Sequence, residues 1–211
     1  KFNLTRSFEF DLMKDRATLR FCVFCGSRAG LREEYVSNAK ILGRVLATNN
    51  IELVYGGAAV GLMGALADSV LESGGRAIGV LPRGLARKEI AHPRLTKLHL
   101  VDSMHERKAL MERLSDRFIA LPGGFGTLEE ILETITWIQL GLHRKPAGFL
   151  NVGGYYDPLL QQFERGLNDE LIPSVLRQAI IAHDNPKTLV EMLLSYELPP
   201  APVQWIHSSE T

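Results

Sequence analysis

Seven short apolar runs punctuate the chain: LRFCVFC (19–25), IELVY (51–55), RAIGVLP (76–82), KLHLV (97–101), DRFIALP (116–122), PAGFLN (146–151) and QAIIAHD (178–184). They are rich in β-branched and aromatic residues and are apolar nearly throughout, the pattern of strands covered on both faces. Between most of them lie helical patterns at 32–48, 61–73, 103–115, 127–142 and 157–169, with a last one from about 186 to 196. The alternation predicts an α/β protein with a parallel sheet of about seven strands and helices on both faces. No internal repeat or low-complexity linker interrupts it. One domain is expected over 19–197, preceded by an arm or extra helix at 1–18 and followed by an irregular, proline-rich tail at 198–211.

Composition narrows the partners. The 211 residues suit one sizeable domain, and 24 Lys plus Arg against 24 Asp plus Glu give no net charge. A neutral chain has no general attraction to nucleic acid or an anionic membrane, so an anionic ligand must be captured locally. The segment KFNLTRSFEFDLMKDR is studded with charges and has no apolar signal-peptide core. No apolar run approaches the ~18 residues of a membrane span, and a cytoplasmic location is expected. Cys22 and Cys25 make a C-x-x-C, but in a strand such positions point to opposite faces, which favours core thiols over a redox or zinc pair.

Two glycine loops lead from a strand into a helix: YGGAAVGLMG (55–64), with Gly56 and Gly57, and PGGFGT (122–127). In an open α/β sheet ligands bind at the carboxyl ends of strands, where free helix N–H groups and the helix dipole favour an anion. Neither loop has dinucleotide-fingerprint or Walker spacing. Each taken alone can be a tight turn; two on one sheet edge favour a nucleotide-sized anionic ligand.

Glu130 has two readings from pattern. With Thr127 as N-cap, T-L-E-E places Glu130 where a capping box needs it. It also projects with Thr134, Trp137 and Gly141, opposite a stripe of Leu128, Ile131, Leu132, Ile135 and Leu142. A tryptophan on that second face predicts a cover, most simply another subunit. Capping and catalysis both stay open, and they are compatible.

In SMHERKALMERLSD (103–116), Met104, Met111 and Leu114 form a stripe that includes Arg107, while Lys108, Glu112 and Arg113 read as a solvated face. Arg107 either snorkels or meets an anion. The histidines show no metal-binding spacing, and no G-x-S-x-G elbow occurs.

The combination of MHERK (104–108), PGGFGTLEE (122–130) and TWIQLGLHRKP (136–146) resembles the LOG (Lonely Guy) family of cytokinin riboside 5′-monophosphate phosphoribohydrolases, often labelled lysine decarboxylases. FCGS, YGG, VGLMG, GYYDPLL and LIP fit as well, so the resemblance spans roughly residues 20 to 185. It implies a Rossmann-like doubly wound fold, a homodimer with active sites near the interface, and hydrolysis of a purine nucleoside 5′-monophosphate to free base and ribose 5-phosphate. Arg107 and Glu130 fall on the family's catalytic pair. Gly124, Gly126 and Thr127 fall in its phosphate loop, with Gly123, Phe125, Glu129, Gly56 and Gly57 expected to bind substrate beside them. Glu89, Lys108 and Thr136 match substrate-contacting positions. No cofactor or metal is implied, and nothing supports a pyridoxal phosphate lysine.

Two departures stand out: Ala58 where the family commonly has a third glycine after the tyrosine, and Arg28 where a second serine often follows C-G-S. A general AMP or GMP nucleosidase is the nearest alternative. A non-catalytic nucleotide or molybdenum-cofactor binding protein is another, since such carriers share the P-G-G-x-G-T loop but lack the arginine–glutamate pair.

Overall fold

The computed structural model describes residues 18–86 and 91–196. The strands are β1 (Arg20–Phe24), β2 (Glu52–Tyr55), β3 (Ala77–Pro82), β4 (Lys97–Val101), β5 (Arg117–Ala120), β6 (Ala147–Leu150) and β7 (Ile180–His183). The helices between and after them are α1 (Glu33–Thr48), α2 (Gly61–Glu72), α3 (Arg83–Ala86), α4 (Met104–Leu114), α5 (Phe125–Gln139), α6 (Asp157–Asn168) and α7 (Pro186–Ser195). The expected seven strands and six longer helices are all present. The single turn α3 and two 3-10 segments, Val152–Gly154 and Ser174–Ala179, were not expected from periodicity. The proposed terminal arm (save residue 18) and tail, and Glu89, lie outside the described residues.

All strand pairs are parallel, in the order β4-β3-β2-β1-β5-β6-β7. The winding reverses between β1 and β5, and at that switch point the strand ends diverge and leave a crevice. Strand alternation sorts the core into two layers. Phe21 and Val23 join Leu42 and Leu46 of α1, Leu66 and Val70 of α2 and Leu189 of α7 on one face. Cys22 and Phe24 join Met111 of α4, Ile131 and Ile138 of α5 and Tyr156 on the other. Cys22 and Cys25 are buried, unpaired and in different layers, as expected of core thiols.

Helix α5 departs from expectation at both ends. Its N-cap is Gly124, extended at φ −90° and ψ −156°, so the helix starts at Phe125. Thr127 is therefore the third helical residue and Glu130 lies in the second turn, which rules out the capping box. The helix stops at Gln139 because Gly141 turns left-handed at φ +75°. Gly141 N–H then donates to Ile138 O and Leu142 N–H to Trp137 O, a Schellman closure. Leu142 is consequently outside the helical stripe. The buried face is Thr127, Glu130, Ile131, Thr134 and Ile138, whereas Leu132 is 37% exposed. Glu130 thus faces inward, with the core residues rather than opposite them.

Candidate active site

The loop between β5 and α5 enters the crevice at the switch point. Gly26 N–H, just past β1, donates to Pro122 O at 3.2 Å, and Gly26 O accepts from Leu62 N at 3.1 Å. Two consecutive tyrosines hold the loop from the other side. Tyr155 Oη donates to Gly123 O and Tyr156 Oη to Leu121 O, each at 2.5 Å. Burial pushes the Tyr156 phenol well above its usual range, so it stays a donor.

The result is a cleft of about 480 Å³ whose walls include Ser27, Arg28, Tyr35, Gly123, Gly124, Phe125 and Tyr155. Phe125 is 92% exposed at its rim. A Cβ at Gly124 or Gly126 would meet nothing within 4 Å, and neither residue has positive φ. The protein's own packing therefore does not explain these two glycines. They bare the first N–H groups of α5, where partial positive charge can accept an anion.

Beside this loop, α4 and α5 bring Arg107 and Glu130 together. Arg107 Nη1 lies 2.9 Å from Glu130 Oε1, with only 13% and 9% of the two side chains exposed. Arg107 Nε donates to Val80 O at 3.2 Å, and a Cβ on Gly56 would lie 2.5 Å from Nη2. Arg107 therefore reaches over β2 and β3 instead of snorkelling to solvent. Gly56 and Gly57 are buried within the protein, and Gly56 is the floor beneath the guanidinium. Burial pushes the Glu130 carboxyl above the ordinary glutamate range. Arg107 opposes that shift, Glu129 adds to it, and Lys108 opposes it again.

Lys108 is not on a solvated face: its side chain is 11% exposed and its ammonium pairs with Glu129 and with Glu133, the latter at 3.0 Å. Burial disfavours its charge, but the two carboxylates outweigh burial and raise its pKa. Glu112 is likewise tied down, 2.5 Å from Lys145 Nζ. Met104, expected in the apolar stripe, is 46% exposed. Thr136 lies on the exposed side of α5, its hydroxyl donating to Leu132 O at 2.8 Å, and lines neither the cleft nor the ion pair. Trp137 takes part of its cover from its own chain, with His143 edge-on at 6.3 Å. Periodicity assigned no role to Tyr35, Tyr155 or Ser27; the doubled tyrosine after two glycines was the available signal.

One helical turn separates Gly126 from Glu130, a rise of about 6 Å. Fold and site together define a doubly wound α/β protein with a bare, glycine-opened helix N-terminus next to a buried carboxylate–guanidinium pair. Among the described residues, no group of three or more His, Cys, Asp or Glu is arranged to hold a metal.

Comparison with known proteins matches this class. A family profile described as "Possible lysine decarboxylase" fits residues 63–193. A probable cytokinin riboside 5′-monophosphate phosphoribohydrolase of rice (Oryza sativa subsp. japonica) is 50% identical over 177 residues, 84% of this chain and 79% of that protein. A cytokinin riboside 5′-monophosphate phosphoribohydrolase of Arabidopsis thaliana is 47% identical over 178 residues, covering 84% and 82%. Among solved structures, the molybdenum cofactor binding protein of Rippkaea orientalis superposes with a TM-score of 0.66 over 86% of this chain and 98% of that one. At 21% identity it speaks for the fold alone. The chain belongs to the LOG family of cytokinin riboside 5′-monophosphate phosphoribohydrolases, a family of N-glycosyl hydrolases.

Proposed function

We propose that this chain hydrolyses the N-glycosidic bond of cytokinin riboside 5′-monophosphates, and of AMP, to free base and ribose 5-phosphate. The observation that carries the reading is the buried Arg107–Glu130 pair, 2.9 Å apart, one helical turn from a bare glycine helix N-terminus. The 5′-phosphate sits on the N–H groups at the start of α5, where Gly124 and Gly126 give it room. Anchoring the phosphate turns remote binding energy into positioning of the ribose against Glu130.

As the bond to the base breaks, positive charge develops at C1′, as in other glycosyl transfers. The Glu130 carboxylate stabilises that charge and orients the attacking water. Water supplies the hydroxyl at C1′ and the proton that leaves with the base. Arg107, fixed by Val80 O and by the floor at Gly56, holds Glu130 in place. Lys108 and Glu129 contact substrate, as Glu89 does, and Thr136, on the exposed side of α5, reaches the substrate of the partner's site.

AMP is included because the phosphate and ribose contacts do not depend on the substituent that distinguishes a cytokinin. The working unit is a homodimer in the cytoplasm, with Thr136 and Leu132 on the α5 face turned toward the partner. The exposed positions of these two residues support that placement. No cofactor takes part.

The test is chromatography of free base after incubation with isopentenyladenosine 5′-monophosphate, with AMP, and with the unphosphorylated riboside. Base is expected from both nucleotides and little from the riboside. No base from any, with nucleotide binding intact, would contradict the activity and leave a binding protein.

A further inference from the structure

The charges around the proposed phosphate position do not favour an anion by themselves. Arg107 is engaged by Glu130, and Lys108 by both Glu129 and Glu133. Three carboxylates thus face two cations along the first three turns of α5. A helix N-terminus contributes about half a unit of positive charge, so a dianionic phosphate there gains from any free cation within reach. A further cation at the cleft strengthens such a site.

Arg28 is the one cation that lines the cleft among the described residues, on the wall shared with Gly123, Gly124 and Phe125. Among those residues no carboxylate pairs with its guanidinium. Its backbone is firmly placed all the same. A Cβ on Gly61, which has φ +58°, would lie 2.5 Å from Arg28 N, and one on Gly26 would lie 3.1 Å from Arg28 O. The N-terminus of α2 and the end of β1 therefore grip the Ser27–Arg28 turn, and Gly26 joins that turn to the glycine loop through its bond to Pro122 O. An unpaired arginine on a rigid turn at an anion cleft keeps its fork of donors available at little conformational cost.

We infer that Arg28 gives this chain a phosphate contact that a serine at the same position does not supply: its guanidinium closes on the 5′-phosphate held at the start of α5 and strengthens the hold on a phosphorylated ribose. This rests on the phosphoribohydrolase reading for the identity of the ligand, but the binding step can be measured separately from catalysis. Because Arg28 is exposed and unpaired, replacing it does not threaten the fold.

The experiment is titration calorimetry of wild type, Arg28→Ser and Arg28→Lys with ribose 5-phosphate and with ribose, alongside kcat and KM for AMP. Arg28→Ser is expected to weaken ribose 5-phosphate binding roughly ten- to a hundredfold, the range for a charge-assisted bond. Ribose binding should be unchanged, and Arg28→Lys should restore part of the loss because it keeps charge without the fork. KM should rise by a similar factor with kcat nearly constant. Equal affinity of wild type and Arg28→Ser for ribose 5-phosphate would overturn the inference, as would wild type that does not bind it at all. Wild type that binds ribose 5-phosphate but releases no base would sink the proposed activity while the calorimetry still decides the role of Arg28.

Discussion

Glu130 is a carboxylate that burial pushes toward its neutral form, held by one guanidinium and flanked by another acid. The proposed chemistry uses the ionised form, so the rate should fall on the acid side with an apparent pKa above that of an ordinary glutamate. Neighbouring charges should move that limb in opposite directions. Glu129→Gln removes a negative charge that raises the Glu130 pKa, and should shift the limb to lower pH. Lys108→Gln removes a positive charge that lowers it, and should shift the limb upward. A pH profile of kcat for the three proteins checks both signs; limbs that coincide would contradict this electrostatic assignment.

His143 illustrates the same physics acting on stability. Its Nε2 is buried without a hydrogen-bond partner, and burial, helped by Lys145, lowers its pKa to about 4 from 6.5. A depressed pKa means that the folded state resists a proton the unfolded chain accepts. The associated stability is present above about 6.5 and is lost as pH falls toward about 4. His143→Phe should therefore lose less Tm than wild type between neutral pH and that window. Equal losses would show that His143 is not a source of the acid sensitivity.

At the scale of elements, α5 carries most of the site, and its first turn separates ligand from fold. Gly126 lies in helix with open space where a Cβ would go. Gly126→Ala should stabilise the protein by about 0.5–1 kcal/mol through helix entropy, yet raise KM for the nucleotide severalfold by filling the phosphate space. Gly56→Ala should do the reverse, lowering kcat by about tenfold or more because its Cβ displaces Arg107. Thermal melts and steady-state kinetics on the two variants distinguish a glycine kept for ligand from one kept for a side chain.

The strands were legible because fully covered strands are apolar along their length, a local signal. The start of α5 was not. It is capped by Gly124 with no side-chain hydrogen bond, whereas the nearest Ser or Thr that could signal a cap, Thr127, stands three residues later. Periodicity puts Glu130 on a second face covered most simply by another subunit, whereas the structure buries it among core residues of its own chain. The period of α5 carries no sign of the partner that permits this burial, Arg107, which comes from another helix 23 residues earlier. The family resemblance implies this pairing; the period of α5 does not. Lys108 was misplaced for the same reason, since its carboxylate partners are also on α5.

For the whole molecule, the reversal of winding between β1 and β5 explains why distant segments meet. Residues 26–28, 107 and 122–130 converge because a switch point gathers the ends of neighbouring strands whose chains then run apart. The core behind the site sets its rigidity: Leu46, fully buried between α1 and the sheet, should cost about 2–5 kcal/mol on Leu46→Ala, measured by denaturant unfolding. Light scattering tests the proposed dimer, and a monomer with full activity would remove the partner from the account.

The central claim is that the buried Arg107–Glu130 pair breaks the glycosidic bond of a nucleotide anchored at the start of α5. Its most direct test measures base release and AMP binding together for wild type and Glu130→Gln, a substitution that keeps the side chain's shape. The account predicts that Glu130→Gln binds AMP within a fewfold of wild type while base release drops by about a hundredfold or more. Base release from Glu130→Gln at a rate near that of wild type would contradict it.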